Sequence, residues 1–329
     1  MKHIMQQLQE VAAQNGPLCV GLDTDPSYLP DSVLKAFDSP VEAVLAYNKE
    51  IIKRVAAEKS ACCFKIQIAY YEAMGIEGLK AYIETIKAVH EAGIIAISDI
   101  KRGDIADTAK AYARAHFGEK SDFETDIITI NPYMGFDTLK PFTEYCKPNT
   151  STFRQAQYGA QLSNHGEKGG KGIFVLLRTS NPGMVDIEQQ ELKTGGRVLD
   201  KTGSELKRIS VEFKALYPEQ TCSPVGAVVG CTEESDARSL RNAYPDIFFL
   251  IPGYGAQGGA ARIAATLLDK AGGTVNSSRG ILCAWKKDES LADSREKGIL
   301  CLKDIADAAG KACRDATADL LGAKAALFG

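Results

Sequence analysis

Residues 99–104, Asp-Ile-Lys-Arg-Gly-Asp, place two carboxylates around an amine. Asp99 and Lys101 stand two apart, so on a β-strand they share one face. Upstream, Phe64-Lys65 sits in a short apolar run, and Gly21-Leu22-Asp23 closes another. Phe64, Ile66 and Ile68 alternate with Lys65 and Gln67, while Leu18, Val20 and Leu22 alternate with Cys19, Gly21 and Asp23. If the larger apolar set faces covering helices, then Asp23, Lys65, Asp99 and Lys101 face the other way. A lone buried lysine is costly, but lysines and aspartates in alternation compensate one another. Such an array can keep an ammonium charged in a dry site and stabilise developing negative charge. A structural ion-pair cluster is the plainer alternative. Asp104 follows Gly103 and opens the next helix; alone, it is either a second active carboxylate or a helix cap stabilising by about 1 kcal/mol.

A second signal lies near the C-terminus. Pro252-Gly-Tyr-Gly-Ala-Gln257-Gly-Gly is a glycine-rich loop after an apolar run, and Asn276-Ser-Ser-Arg279-Gly280 ends the next one. Bare backbone presents N–H groups to an anion, and an arginine fork suits a phosphate. Gly159-Ala160-Gln161 looks similar but follows no strand, and it is set aside as a decoy.

These residues need a scaffold. Short apolar runs at 18–23, 62–68, 94–101, 126–131, 173–180, 225–231, 248–252 and 274–281 are expected to be strands. Helical patterns lie between them. Val41, Val44, Leu45, Ile51, Ile52 and Val55 form one stripe, interrupted by Asn48, which is expected to be a hydrogen-bonded core residue. Ile76, Leu79, Tyr82, Ile83, Ile86 and Val89 form another. Eight βα units predict an α/β fold, a (β/α)8 TIM barrel over 1–329 as a single domain. A doubly wound open sheet is the competing architecture. Segments near 145–172, 184–203 and 286–297 are expected to be surface insertions. In a barrel, strand C-terminal ends carry the chemistry, and the loops after strands 7 and 8 recur as a phosphate site.

The composition narrows the classes. The chain has 329 residues, 45% hydrophobic and 25% charged, with net charge −3. Global disorder and nucleic-acid binding through bulk positive charge are both disfavoured. No apolar run reaches the roughly 18 residues of a membrane span, and the N-terminal stretch lacks a signal-peptide core. The nine cysteines are scattered, which fits free thiols in a reducing cytoplasm. The four histidines show no metal-binding spacing, and no metal or cofactor is expected.

Together these motifs resemble the orotidine 5′-phosphate decarboxylase family, in its long bacterial branch. The match comprises Asp99-x-Lys101-x-x-Asp104, Gly21-Leu-Asp23, Phe64-Lys65, Arg178-Thr-Ser180-Asn-Pro182, the Gln257 loop and Ser278-Arg279-Gly280. Asp-x-Lys-x-x-Asp alone is shared with other phosphosugar decarboxylases; the whole set is more specific. The resemblance implies cofactor-free decarboxylation of orotidine 5′-phosphate to uridine 5′-phosphate in pyrimidine biosynthesis. It implies that Lys101 is the proton donor, that Asp99 sits beside the substrate carboxylate and helps hold Lys101, and that Lys65 and Asp23 contact ribose. Asp104 would reach into the partner's site of a homodimer, with Ile105 and Thr108 beside it. Ser180 would bond the pyrimidine, Pro252 would line the base pocket, and Gln257, Arg279 and Gly280 would bind phosphate.

Three rivals use the same residues. A Schiff-base aldolase needs a neutral lysine, which flanking aspartates oppose. A sugar-phosphate decarboxylase would hold Mg²⁺ on the inward carboxylates. A non-catalytic nucleotide-binding barrel would need the phosphate loop but not the Asp–Lys–Asp array.

Overall fold

All eight expected strands form: β1 Leu18–Gly21, β2 Cys63–Gln67, β3 Ile95–Arg102, β4 Ile127–Ile130, β5 Gly172–Arg178, β6 Val225–Val229, β7 Phe249–Ile251 and β8 Gly273–Ser277. The structure is a computed structural model that describes residues 2–148, 170–254 and 260–329. The strands follow sequence order and close into a barrel, which excludes the open-sheet alternative. Nearly every strand residue is buried, as expected for parallel strands covered by helices.

Two compact units make up the chain. One contains residues 11–100, 252–265 and 274–329; the other contains 1–10, 101–251 and 266–273.

The first unit contains β1, β2 and most of β8 and β3, paired in parallel in the order β8, β1, β2, β3. Helix Pro40–Glu58 starts where Ser39 accepts the Glu42 amide and Pro40 takes the first turn, and it ends at Lys59 in the left-handed region. Its buried face is Ala43, Val44, Tyr47, Asn48, Ile51, Ile52 and Val55. Asn48 is the expected satisfied core residue. It accepts from Thr24 Oγ1 at 2.7 Å and donates to Tyr71 Oη at 2.9 Å, and Tyr71 in turn donates to the Leu22 carbonyl. Helix Gly75–Glu91 departs from expectation at its start, where Ile76 is 75% exposed. Its buried face is instead Gly78, Ala81, Tyr82, Thr85, Ile86 and Val89. Gly78 sets this rotation, because a Cβ there would lie 2.1 Å from the Tyr71 carbonyl oxygen. The 286–297 segment is built of short turns and the helix Ala292–Glu296, ahead of the long helix Leu302–Phe328.

The second unit contains β4 to β7, with parallel pairing from β4 through β7. Of the expected insertion at 145–172, residues 149–169, including the Gly159-Ala160-Gln161 decoy, lie outside the described residues. The 184–203 segment begins within a 3-10 turn at Pro182–Asp186 and continues through a Glu191–Arg197 bridge to the start of helix Val198–Leu216. Arg241 is fully buried. Its guanidinium donates to the carbonyls of Leu267, Tyr244, Ile247 and Gly272 and lies 3.7 Å over the Phe249 ring. One side chain thus satisfies four carbonyls that would be costly to bury unbonded.

His3 fastens the N-terminal helix Ile4–Asn15. Its Nδ1 accepts the Gln6 amide at 3.1 Å, and its Nε2–H donates to the Cys222 carbonyl at 2.9 Å. Burial pushes His3 down to about 4, against the Cys222 bond. His116 is also pushed to about 4, by burial and then by Arg102. Both imidazoles are neutral in the fold, whereas the unfolded chain protonates them near 6.5. Stability is therefore complete above pH 6.5 and falls as pH drops toward 4, by roughly 3 kcal/mol per histidine at the limit. We expect Tm to decline through that window. His3→Asn keeps an acceptor for Gln6 and removes the titration, so its decline is shallower; identical pH profiles would contradict the assignment.

Candidate active site

The C-terminal ends of β1, β2, β3 and β8 carry one continuous polar chain. Lys65 Nζ lies 3.0 Å from Asp23 Oδ1 and 2.9 Å from Asp99 Oδ2. Gln67 Nε2 donates to the same Asp99 oxygen at 3.1 Å. On the other side, Ser278 Oγ donates to Asp23 Oδ2 at 2.8 Å, and Asn276 Nδ2 donates to Ser278 Oγ at 3.1 Å. Lys65 and Asp99 are each 5% exposed. Burial alone would push the Lys65 ammonium down, but Asp99 and Asp23 together outweigh it and hold the pKa above the ordinary lysine range. Lys65 is therefore a fixed cation at neutral pH. A neutral amine of the kind a Schiff-base aldolase needs is disfavoured here.

Strand register explains the spacing. Gly21 pairs with Lys65, and Cys19 pairs with Asn276, so Ser278 follows Asn276 by two as Gly21 follows Cys19. A Cβ on Gly21 would lie 2.0 Å from Ser278 Oγ and 2.9 Å from Asn276 Oδ1. The missing side chain is the space through which Ser278 reaches Asp23. Sequence patterning gives Asn276, Ser278 and Gln67 no role of their own, although Gln67 stands two residues from Lys65 on β2 and Ser278 two residues from Asn276, just past the end of β8.

The Lys101–Thr108 segment belongs to the other unit. Lys101 is exposed and left-handed, with φ +45°, and its amide donates to Thr129 Oγ1 at 3.0 Å. Strand alternation therefore does not extend past Ile100. Ala106 is also left-handed, at φ +44°. Each such non-glycine residue costs about 1–2 kcal/mol, and strain of this kind collects at functional sites. Gly103 is confined by the next strand's end, since a Cβ there would lie 2.7 Å from the Asn131 carbonyl oxygen. Asp104 does not open the helix as expected. Helix Ala106–Phe117 begins two residues later, and Asp104 Oδ1 accepts only the adjacent Ile105 amide, at 2.8 Å, among the described bonds. Ile105 and Thr108 are exposed.

Ser180 is exposed, two residues past β5. Arg178, before it, is buried and pairs with Asp236 at 2.8 Å. Pro252 follows β7 directly and is half-buried. Gln257 lies outside the described residues. Strand β8 stops at Ser277, short of the expected Ile281, because Ser278 turns to Asp23 with ψ −81° and its carbonyl accepts the Ile281 and Leu282 amides. Arg279 and Gly280 therefore begin the short helix Arg279–Leu282 instead of ending a strand, and both are exposed. Burial and the hydrogen bond that the Tyr28 hydroxyl donates to Tyr70 push the Tyr28 phenol up to about 12, and the Arg279 charge opposes them. Trp285, the single tryptophan, donates from Nε1 to the Tyr28 carbonyl at 2.9 Å.

Gly21→Ala is expected to cost about 2 kcal/mol or more by driving Ser278 away from Asp23. Urea unfolding of Gly21→Ala, Ser278→Gly and the double variant tests this. The double variant recovers part of the loss if the two residues compete for one space, and strictly additive losses would count against it.

The chain resembles known proteins along most of its length. Residues 16–293 match the model of the orotidine 5′-phosphate decarboxylase / HUMPS family. A Clostridium botulinum (strain Langeland) protein named orotidine 5′-phosphate decarboxylase is 45% identical over 287 residues, covering 86% of this chain and 90% of its own. The Clostridium novyi protein of that name is 43% identical over 288 residues, covering 87% and 91%. Among solved structures, Leishmania donovani OMP decarboxylase aligns with TM-score 0.64 at 27% identity, over 96% of this chain and 98% of that one. Plasmodium berghei orotidine 5′-monophosphate decarboxylase shares the fold with TM-score 0.67 at 18% identity, over 93% and 98%. With matches of this extent on a barrel carrying the Asp23–Lys65–Asp99 chain, this protein belongs to the orotidine 5′-phosphate decarboxylase / HUMPS family.

Proposed function

We propose that this protein decarboxylates orotidine 5′-phosphate to uridine 5′-phosphate and CO2 in pyrimidine biosynthesis, without a cofactor. The observation that carries the reading is the buried Asp23–Lys65–Asp99 chain, whose Asp99 is the first residue of the Asp-x-Lys-x-x-Asp motif, in a chain of this family. Loss of CO2 from C6 of the ring leaves an electron pair in an sp² orbital orthogonal to the π system. Ring resonance cannot accept that pair, so stabilisation must be electrostatic and already in place. In this reading the Lys101 ammonium faces the developing carbanion and donates the proton that replaces CO2. Asp99 lies beside the departing carboxylate and helps hold Lys101. Lys65 and Asp23 hold ribose, Ser180 and Pro252 the base, and Gln257, Arg279 and Gly280 the phosphate. Phosphate binding far from C6 supplies energy for assembling the charged site.

Asp104, with Ile105 and Thr108, is proposed to complete the site of a second copy in a homodimer. Support comes from exposed apolar side chains in the loops after β3 and β4: Ile105 is 58% exposed, Tyr133 77% and Met134 48%. A cytoplasmic location belongs to the same proposal.

The decisive assay follows loss of orotidine 5′-phosphate ultraviolet absorbance with EDTA present. We expect rapid loss with the wild type and none with Lys101→Ala, which still binds uridine 5′-phosphate. An EDTA-sensitive reaction would favour a Mg²⁺-dependent sugar-phosphate enzyme, and wild-type turnover by Lys101→Ala would sink the assignment. The shared site has its own test. Lys101→Ala and Asp104→Asn proteins, each inactive, are mixed and allowed to exchange subunits. Half of the dimers are then mixed, each with one intact site, so activity returns to about one quarter of the wild-type value. No recovery from exchanged dimers would place Asp104 in its own subunit's site.

A further inference from the structure

The loop that follows β5 is held by an acidic side chain from the segment expected to be an insertion. Glu188 Oε2 accepts the Thr179 amide at 2.9 Å, and Glu188 Oε1 accepts the Thr179 hydroxyl at 2.8 Å. One carboxylate thus grips both the main chain and the side chain of the residue before Ser180. Glu188 is itself fixed. Its amide donates to the Met184 carbonyl and its carbonyl accepts the Leu199 amide, both at 2.9 Å, next to the Val198 amide's bond to Gln190. The last two bonds tie the segment to the first turn of helix Val198–Leu216. On the opposite side, Arg178 donates to the carbonyls of Thr179, at 3.0 Å, and Gly230 and pairs with Asp236. Thr179 is therefore clamped from both directions, and the backbone direction into Ser180 is set before any ligand arrives.

We propose that Glu188 is a positioning residue for base recognition, acting through Thr179 on Ser180. The inference rests on the assignment of Ser180 to the pyrimidine. The 184–203 segment then does a specific job: it carries the brace that fixes the base-binding hydroxyl. What matters is the bidentate geometry rather than the charge. A glutamine at 188 can still accept the Thr179 amide through its carbonyl and donate its amide to the Thr179 hydroxyl. Aspartate is one methylene short and loses at least one of the two bonds.

The test compares Glu188→Gln, Glu188→Asp and Glu188→Ala in the full-length protein. We expect Glu188→Ala and Glu188→Asp to raise KM for orotidine 5′-phosphate and Ki for uridine 5′-phosphate together by about 10-fold or more, as small displacements of a positioned group do. Glu188→Gln should stay within about 3-fold of wild type, a residue for neutral replacement of a charged acceptor. Hydrogen exchange supplies a readout independent of turnover: the Thr179 amide loses protection in Glu188→Ala and keeps it in Glu188→Gln. Equal damage from Gln and Ala would overturn the geometric role in favour of the charge itself. Unchanged KM and Ki in a Glu188→Ala protein that has lost Thr179 protection would overturn the link to the base. Failure of the wild type to turn over orotidine 5′-phosphate would overturn the assigned reaction instead, with the exchange result still reporting on the brace.

Discussion

A cation taken out of water must be paired, and the half of the structure around Lys65 is arranged to meet that demand. The ammonium lies on β2 between carboxylates from β1 and β3, at 3.0 and 2.9 Å. Breaking such a buried pair leaves a charge uncompensated, at a cost of about 3–5 kcal/mol. The demand spreads outward. Asp99 is steadied by Gln67, and Asp23 by Ser278, itself bonded to Asn276. Gly21 must lack a side chain for Ser278 to arrive, and β8 must end early so that Ser278 can turn. Four strand ends are thus fixed by one electrostatic requirement.

The other half uses neutral and charged brackets in place of a salt-bridge chain. Arg178 and Glu188 clamp the β5 loop from opposite sides, and Arg241 gathers four carbonyls beneath a phenylalanine ring. The two left-handed residues Lys101 and Ala106 bracket the Asp104 turn. Backbone strain there fixes the direction of the Asp-x-Lys-x-x-Asp segment without requiring each side chain to be buried.

Much of this was legible in the sequence, for definite reasons. All eight strands announced themselves as short apolar runs, and period-2 alternation turned Lys65 and Asp23 to one face. Asn48 was legible because a polar residue in an apolar stripe needs partners, and it has Thr24 and Tyr71. The ends of elements were not. Ile76 fits a helical stripe on paper, but the close approach of Gly78 to Tyr71 rotates the helix away from it. Alternation could not reveal that the backbone turns at Lys101, or that Ser278 leaves the strand for Asp23. Glu188 carried no local signal, since its partner lies nine residues away and is reached only through the fold.

The lone tryptophan gives one half of the molecule an optical gauge of its own. Indole emission responds to the polarity and hydrogen bonding of its surroundings. Here the single ring is buried and wired through its N–H to the carbonyl of Tyr28, whose phenol feels the Arg279 charge. Every photon of tryptophan fluorescence therefore comes from a place six residues along the chain from that arginine. Rearrangements of the Ser278–Lys286 stretch are thereby visible in dilute solution without any label, and no other indole blurs the signal.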